Sequence, residues 1–293
     1  VSVLYWLRLR VDRSEPVAME ETPAIPPLEL EHAIGFSAVR SGVHVIPGTS
    51  RYAHVVGGCI VLSDFTDEHF QLFLRGHDDD ITALTVSRSG KYMVSGQRGH
   101  NADVCVWDVA NARIIQRFSE IEKGVLAVDI SHDDSIVAAV GLDYRLTFFD
   151  VSNGGLITHA PLLHMMQPQD TIRDVAFGGK VEDVKRRETG GVHFCLTTGS
   201  NVWPFTLNPY EGALTPVKLN LHGFQRRYSA IRYSDYGDLL FIGSDAGDVA
   251  VVSVSSGAVA STTRVCANGV RELIVVPQSS PANGSASMQQ QQG

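Results

Sequence analysis

Histidine and cysteine are the side chains best suited to hold a metal or attack a substrate, and this 293-residue sequence has 11 and 4 of them. Their spacing supports neither chemistry. There is no HExxH and no histidine pair at i,i+4, the spacing that sets two ligands on one helix face. His44 and His54 sit in alternating, strand-like runs as ordinary strand residues. Cys59, Cys105, Cys195 and Cys266 contain no CxxC pair, so no zinc or redox motif is formed. Unpaired thiols within apolar runs behave as small buried residues and point to a reducing compartment. No GxGxxG lies between a strand and a helix, and no GxxxxGK[ST] occurs. Gly243–Gly247 reads as strand–turn–strand, not a nucleophile elbow, because no helical pattern follows it. Asp78, Asp79 and Asp80, and again Asp133 and Asp134, fall at turns, where aspartate bonds its own backbone. A non-enzymatic protein with no catalytic residue, metal or cofactor is expected.

Charge narrows the partners. With 24 Lys and Arg against 32 Asp and Glu the formal charge is −8, a poor match to phosphate-neutralising nucleic-acid surfaces. No apolar run approaches the roughly 18 residues of a membrane helix. Val1–Leu7 is apolar but is followed, not preceded, by Arg8 and Arg10, the reverse of a signal peptide. No nucleic acid and no membrane are expected, and the cytoplasm is the expected location.

The elements that could position a site are short strands. Gly76-His77 precedes the apolar Ile81–Val86, a Ser89-Gly90 turn, Tyr92–Ser95 and then Val104-Cys105-Val106-Trp107-Asp108. Gly-His followed some thirty residues later by Trp-Asp, with alternating strands between, marks a WD40 propeller blade. The resemblance to such propellers implies a hydrogen-bonded chain within the blade, formed here by His77, Ser95, Asp103 and Trp107. Asp108 closes the blade, and Phe149-Asp150 repeats its ending 42 residues later, within the ~40–45 residues of one blade.

The fold expected is all-β, a WD40 β-propeller of four-stranded antiparallel blades spanning 28–276. Residues 1–27 read as an extended lead-in and linker, and 277–293 as a disordered Ser/Gly/Gln-rich tail. Blade one is expected over Leu28–Asp64 with Ser63-Asp64 in place of Trp-Asp, followed by four more full blades. Val265 and Val270–Val276 read as the opening of a sixth. Seven blades need roughly 300 residues, so the sequence reads as part of a seven-bladed ring; an open ring exposes edges and apolar faces. In blade four, Trp203-Pro204 is expected to interrupt a ladder, and a charged insertion fills 178–191. Lys185, Arg186 and Arg187 in that insertion, and Arg226, Arg227 and Tyr228, are candidate partner contacts.

Three stretches carry a closer resemblance: Leu28-Glu29-Leu30-Glu31 with Ile34-Gly35-Phe36; Arg75-Gly76-His77 through Ser95-Gly96-Gln97; and Ala102-Asp103-Val104-Cys105-Val106-Trp107-Asp108. Together they resemble the amino-terminal propeller of the cilia- and flagella-associated protein 52 family, WD-repeat proteins of motile axonemes. Related microtubule-associated and centriolar WD-repeat families share the Ile-Gly-Phe opening and the Ser-Gly-Gln turn. The resemblance is clear over 28–150 and looser to 276. It implies a structural protein of the cytoskeleton, in the axoneme of the cilium or flagellum, bound inside doublet microtubules. Its implied partners are tubulin and other axonemal inner proteins, with a second propeller in the full-length protein. The alternative is a cytosolic adaptor that captures a peptide or protein on one face.

Overall fold

Side chains of a strand alternate between faces, and a strand covered on both faces reads as continuous apolar sequence. The run Ile136-Val137-Ala138-Ala139-Val140 is such a strand, every residue of it buried. Ile136, Ala138 and Val140 enter one core while Val137 and Ala139 enter another. That alternation, repeated along the chain, builds a series of sheets stacked face to face. The computed structural model describes residues 4–9, 28–182 and 187–276.

Among them are five four-stranded antiparallel sheets, each with its strands in sequence order. Blade one is β3 (Val43–Val45), β4 (Arg51–Val56), β5 (Cys59–Asp64) and β6 (Gln71–Arg75), preceded by the pair β1 (Leu4–Leu9) and β2 (Leu28–Ile34). Blade two is β7 (Ile81–Val86), β8 (Tyr92–Gln97), β9 (His100–Asp108) and β10 (Arg113–Lys123). Blade three is β11 (Val125–Ile130), β12 (Ile136–Gly141), β13 (Arg145–Asp150) and β14 (Leu156–Pro161). Blade four is β15 (Asp174–Glu182), β16 (Glu188–Thr197), β17 (Val202–Asn208) and β18 (Ala213–Pro216). Blade five is β19 (Tyr228–Tyr233), β20 (Leu239–Ser244), β21 (Asp248–Ser253) and β22 (Val259–Arg264). One apolar core lies between each consecutive pair of blades. This is the architecture of a β-propeller.

Several boundaries differ from expectation. Blade one begins at Val43, not Leu28: Leu28–Ile34 pairs with β1, and Gln71–Arg75 supplies the fourth strand. Residues 1–27 are therefore not all linker, since Leu4–Leu9 is paired strand; 10–27 and the expected tail 277–293 lie outside the described residues. Much of the charged insertion is paired strand, because β15 runs to Glu182 and β16 starts at Glu188, with register shifts at Lys180; 183–186 lie outside the described residues. Pro204 does not break its strand. β17 pairs with β16 along its length, and Pro204 uses its one remaining backbone group, the carbonyl, to accept from the Val217 N–H at 2.8 Å.

No strand forms over 265–276, yet Val270 docks as a first-strand residue does. A Cβ on Gly96 would lie 2.6 Å from Val125 Cβ of the next blade, and one on Gly243 2.7 Å from Val270 Cγ1. Thr82 Oγ1 donates to the Val125 carbonyl at 2.6 Å, and Ser229 Oγ to the Val270 carbonyl at 2.5 Å. Val270 thus repeats the seat of Val125, and among the described residues no second strand pairs with it. At the other end of the stack, blade one exposes Val43 and Val45 and bounds a 520 Å³ cleft with Ile34, Phe36, Tyr52 and Phe65.

The glycine of Ser-Gly-Gln is accordingly a spacing device between blades two and three. Gly96→Ala should destabilise the fold by about 1–3 kcal/mol through overpacking. Urea denaturation reads this directly; an unchanged midpoint would mean the blades can move apart at no cost.

Candidate functional site

Blade two carries a chain of side-chain hydrogen bonds whose direction follows from what each group can donate. Trp107 Nε1–H donates to Ser95 Oγ at 2.7 Å inside the core. Ser95 Oγ lies 2.6 Å from His77 Nε2, and His77 Nδ1 lies 2.7 Å from Gln97 Oε1. Gln97 Nε2 in turn donates to Asp78. With Nδ1–H donating to Gln97, a neutral His77 accepts the Ser95 hydroxyl proton on Nε2, so every polar atom is satisfied. Burial holds the His77 pKa below its ordinary value, outweighing the opposing bond to Gln97. Asp103 is not in this chain. Its carboxylate meets Arg117 and the Ser119 hydroxyl, while Gln97, two residues beyond Ser95, occupies the place foreseen for it. Residues on one face of a strand are two apart, and that spacing was the signal for Gln97.

The aspartates that end the third strands have a separate task. Asp108 Oδ1 accepts from the Ala110 and Asn111 N–H groups at 3.0 and 3.2 Å. Asp150 Oδ1 accepts from the Ser152 N–H at 2.7 Å and its hydroxyl at 2.6 Å. Asp64 does the same with Thr66, at 2.8 and 2.6 Å. Each carboxylate templates the turn into the fourth strand, and the bonds from Asn111, Ser152 and Thr66 lower the three pKa values, that of Asp64 to about 2. Phe149 lacks an indole N–H and forms no relay; it stacks on Phe118 of blade two, centroids 4.2 Å apart.

Of the candidate contact residues, Lys185 and Arg186 lie outside the described residues, and Arg187 is exposed at the start of the returning strand. Arg226 donates to Asp248 at 3.0 Å and lies over the Phe224 ring, while Arg227 is 3.7 Å from Asp245. Tyr228 is only 4% exposed, with its hydroxyl bonded to the Phe224 carbonyl at 2.8 Å. It belongs to the core and cannot serve as a surface contact. The aromatic ring that looked like an interface anchor is the packing residue that starts β19.

The first strands of all five blades meet around a cavity of 40 Å³ lined by Arg40, His44, Asp129, Arg173, Asp174 and Arg232 among others. His44 Nε2 lies 2.9 Å from the Leu84 carbonyl, which can only accept, so that nitrogen carries the proton. Asp129 accepts the Phe177 N–H at 2.7 Å, and Asp174 accepts the Ile231 N–H at 3.0 Å and Arg232 Nη1 at 2.8 Å. The exposed surface of Asp129 faces this narrow cavity, not bulk water, and burial pushes its pKa up to about 6. Beside it, burial and the Arg88 charge lower His132 to about 4. Arg40 reaches the Ser229 and Arg271 carbonyls, and Arg173 Nε is buried with no hydrogen-bond partner. His44 reads in the sequence as an ordinary strand residue and the others do not stand out there, because these charges come from different blades and their lead-ins, which only the ring brings together. Among the described residues no group of three His, Cys, Asp or Glu could hold a metal, and no helix is long and apolar enough to cross a membrane.

Comparison with known proteins fits this geometry. The WD40 family model, "WD domain, G-beta repeat", matches residues 69–108, which run from the fourth strand of blade one through the first three strands of blade two and include the relay. Cilia- and flagella-associated protein 52 of Chlamydomonas reinhardtii is 29% identical over 237 residues, 78% of this chain and 36% of that protein. Its Homo sapiens counterpart is 33% identical over 118 residues, 39% of this chain and 19% of that protein. Centriole proteome protein 16 of C. reinhardtii is 29% identical over 142 residues, 42% of this chain and 7% of that protein. The chain thus spans about a third or less of the length of these relatives.

Ser95→Ala should leave both Trp107 Nε1–H and His77 without their shared partner and cost about 1–3 kcal/mol, read as a lowered urea midpoint. A wild-type midpoint would show that the relay contributes nothing. The pH dependence has two opposed parts. His132 is lowered in the fold, so its stability contribution is full above pH 6.5 and is lost as pH falls toward about 4. Asp129 is raised, so it costs stability as pH rises from its ordinary value through about 6. Asp129→Asn, which keeps an acceptor for the Phe177 N–H, should therefore gain stability relative to wild type on going from pH 5 to pH 7. Equal effects at both pH values would contradict the assignment.

Proposed function

We propose that this chain is the propeller of a non-catalytic scaffold in the axoneme of the motile cilium or flagellum, bound to tubulin on the luminal side of doublet microtubules. The observation that carries the reading is the 78% of the chain that aligns with cilia- and flagella-associated protein 52 of C. reinhardtii. Three physical features support it. Blades joined through continuous apolar cores resist deformation, since packed interiors are close to incompressible. The connecting loops lie at the surface of that frame, where a rigid body can offer many small contacts at once. On a repeating lattice such contacts multiply, so weak individual interfaces suffice. An acidic net charge of −8 is compatible with contacts set by shape.

The domain reading belongs to the same proposal: the propeller over 28–276 is completed by strands that seat against Val270 and the exposed face of blade one. The other axonemal inner proteins are the remaining expected partners, with Arg187, Arg226 and Arg227 the exposed cations placed to meet them. A second reading, an adaptor that captures a peptide, draws on the arginines at the axial cavity.

Fractionation of motile flagella separates the two. After detergent and then high salt, a luminal scaffold should stay with the doublets until the microtubules are dissolved, followed by antibody. Release with the soluble matrix would contradict the axonemal reading and favour the adaptor.

A further inference from the structure

Val270 begins a strand that is left incomplete. Its N–H donates to the Ser244 carbonyl at 2.9 Å, and its own carbonyl accepts from Ser229. It is thereby fixed against blade five as the first residue of a next blade would be. The residues that follow, Leu273-Ile274-Val275-Val276, are apolar without a break, the pattern of a strand covered on both faces. Here that cover is missing, since Ile274 is 80% and Val276 76% exposed. Among the described residues no backbone N–H of 271–276 donates to another backbone group. Blade five shows the same gap from its side. The second strand β12 is buried at every residue, whereas burial alternates at the start of β20. Leu240 and Ile242 enter the core shared with blade four, and Leu239 and Phe241 are left half-buried on the opposite face.

In blades one, two, three and five a short turn joins the first strand to the second, over 46–50, 87–91, 131–135 and 234–238. Residues 277–293, which follow Val276, contain no β-branched and no aromatic side chain, the types that fit a packed sheet. The hairpin that fills this place in the other blades is therefore not encoded there. A strand beside 271–276 would lie as β12 does, with a sheet on either side. Its side chains must then be apolar or small on both faces, because a charge buried there without a partner is costly. Six residues is the length of β4, β8, β12 and β20.

We propose that the free edge of 271–276 accepts one extended, uncharged apolar segment carried by another polypeptide. The segment pairs antiparallel to this edge, as β12 pairs with β11, and covers Leu239 and Phe241 of blade five. This rests on the reading that the propeller is completed by strands seated at Val270, and it names the source of one of them. Main-chain bonds supply the affinity of such strand addition, and pockets for alternate side chains select the segment. Charged residues are what usually keep a strand edge from pairing. On this edge Arg271 and Glu272 stand only at the start, and 273–276 carry no charge.

The test follows hydrogen exchange at 271–276 in the intact chain, with binding read by titration of a fluorescein-labelled peptide. The probe carries the β12 sequence between lysines, acetyl-Lys-Ser-Ile-Val-Ala-Ala-Val-Gly-Lys-amide. In its control, proline replaces the second alanine and removes a ladder N–H. The free chain should exchange these amides rapidly. Saturating probe should slow them about tenfold or more, and the proline peptide should not. Ile274→Glu, at a side chain already exposed, should keep the wild-type melting temperature and weaken binding about tenfold or more, the loss of one buried apolar side chain. Leu163→Ala, at an exposed side chain between blades three and four, should leave binding unchanged. Slow exchange without peptide would mean that the edge is already filled, by the tail if deleting 277–293 abolishes it or by a second copy if it grows with protein concentration. Either result overturns the proposal together with the reading of an open propeller. Rapid exchange without saturable binding, equal binding of the proline peptide, or full binding by folded Ile274→Glu would leave that reading standing and overturn the proposal alone.

Discussion

A propeller has one difficult place, the axis, where the first strand of every blade turns a free edge toward its neighbours. An edge strand presents N–H and C=O groups that no ladder satisfies, and near the axis little water can reach them. Side chains from the adjacent blade answer this one group at a time. Asp129 of β11 takes the Phe177 N–H of β15, and Asp174 of β15 takes the Ile231 N–H of β19. Carbonyls are met in the same way, by His44 at Leu84, Thr82 at Val125 and Ser229 at Val270. The bonds that satisfy the edges are also the bonds that join the blades, so inter-blade order and edge protection are a single device.

Its consequence is an axis built from charged residues in an otherwise apolar frame. Asp129 accepts an amide that burial leaves with no alternative, and burial of its carboxylate, only partly opposed by that bond, raises its pKa. Arg232 offsets part of the cost by pairing with Asp174 at 2.8 Å. Arg88 adds a second tie, from the end of β7 to Asp235 at 2.9 Å and the Tyr233 carbonyl at 3.1 Å.

How much of this was legible depended on whether the signal was local. The blades were, because a strand buried on both faces writes an apolar run such as Ile136–Val140, and the Ser89-Gly90 and Asp133-Asp134 turns mark where it reverses. The relay was partly legible: His77, Ser95 and Trp107 lie at recognisable spacings, but Gln97 was passed over for Asp103, which pairs with Arg117 on the neighbouring strand. Tyr228 misled for a related reason. Beside Arg226 and Arg227 it resembles a surface cluster, and only the start of β19 turns its ring into the core. The axial cluster was not legible at all. Arg40, Asp129, Arg173 and Arg232 stand in four different blades or their lead-ins, and nothing in a linear sequence says that first strands converge.

The central claim, that side chains of one blade hold the edge of the next, is tested most directly by native-state hydrogen exchange at two amides. Phe177 and Ile231 bond outward to Asp129 and Asp174, not within their own sheet. If the axis joins the blades, both amides should exchange only with global unfolding, as slowly as those of the buried strand β12. Exchange as fast as in the exposed fourth strand β22 would contradict the account, for it would mean that the blades stand side by side without being tied at the centre.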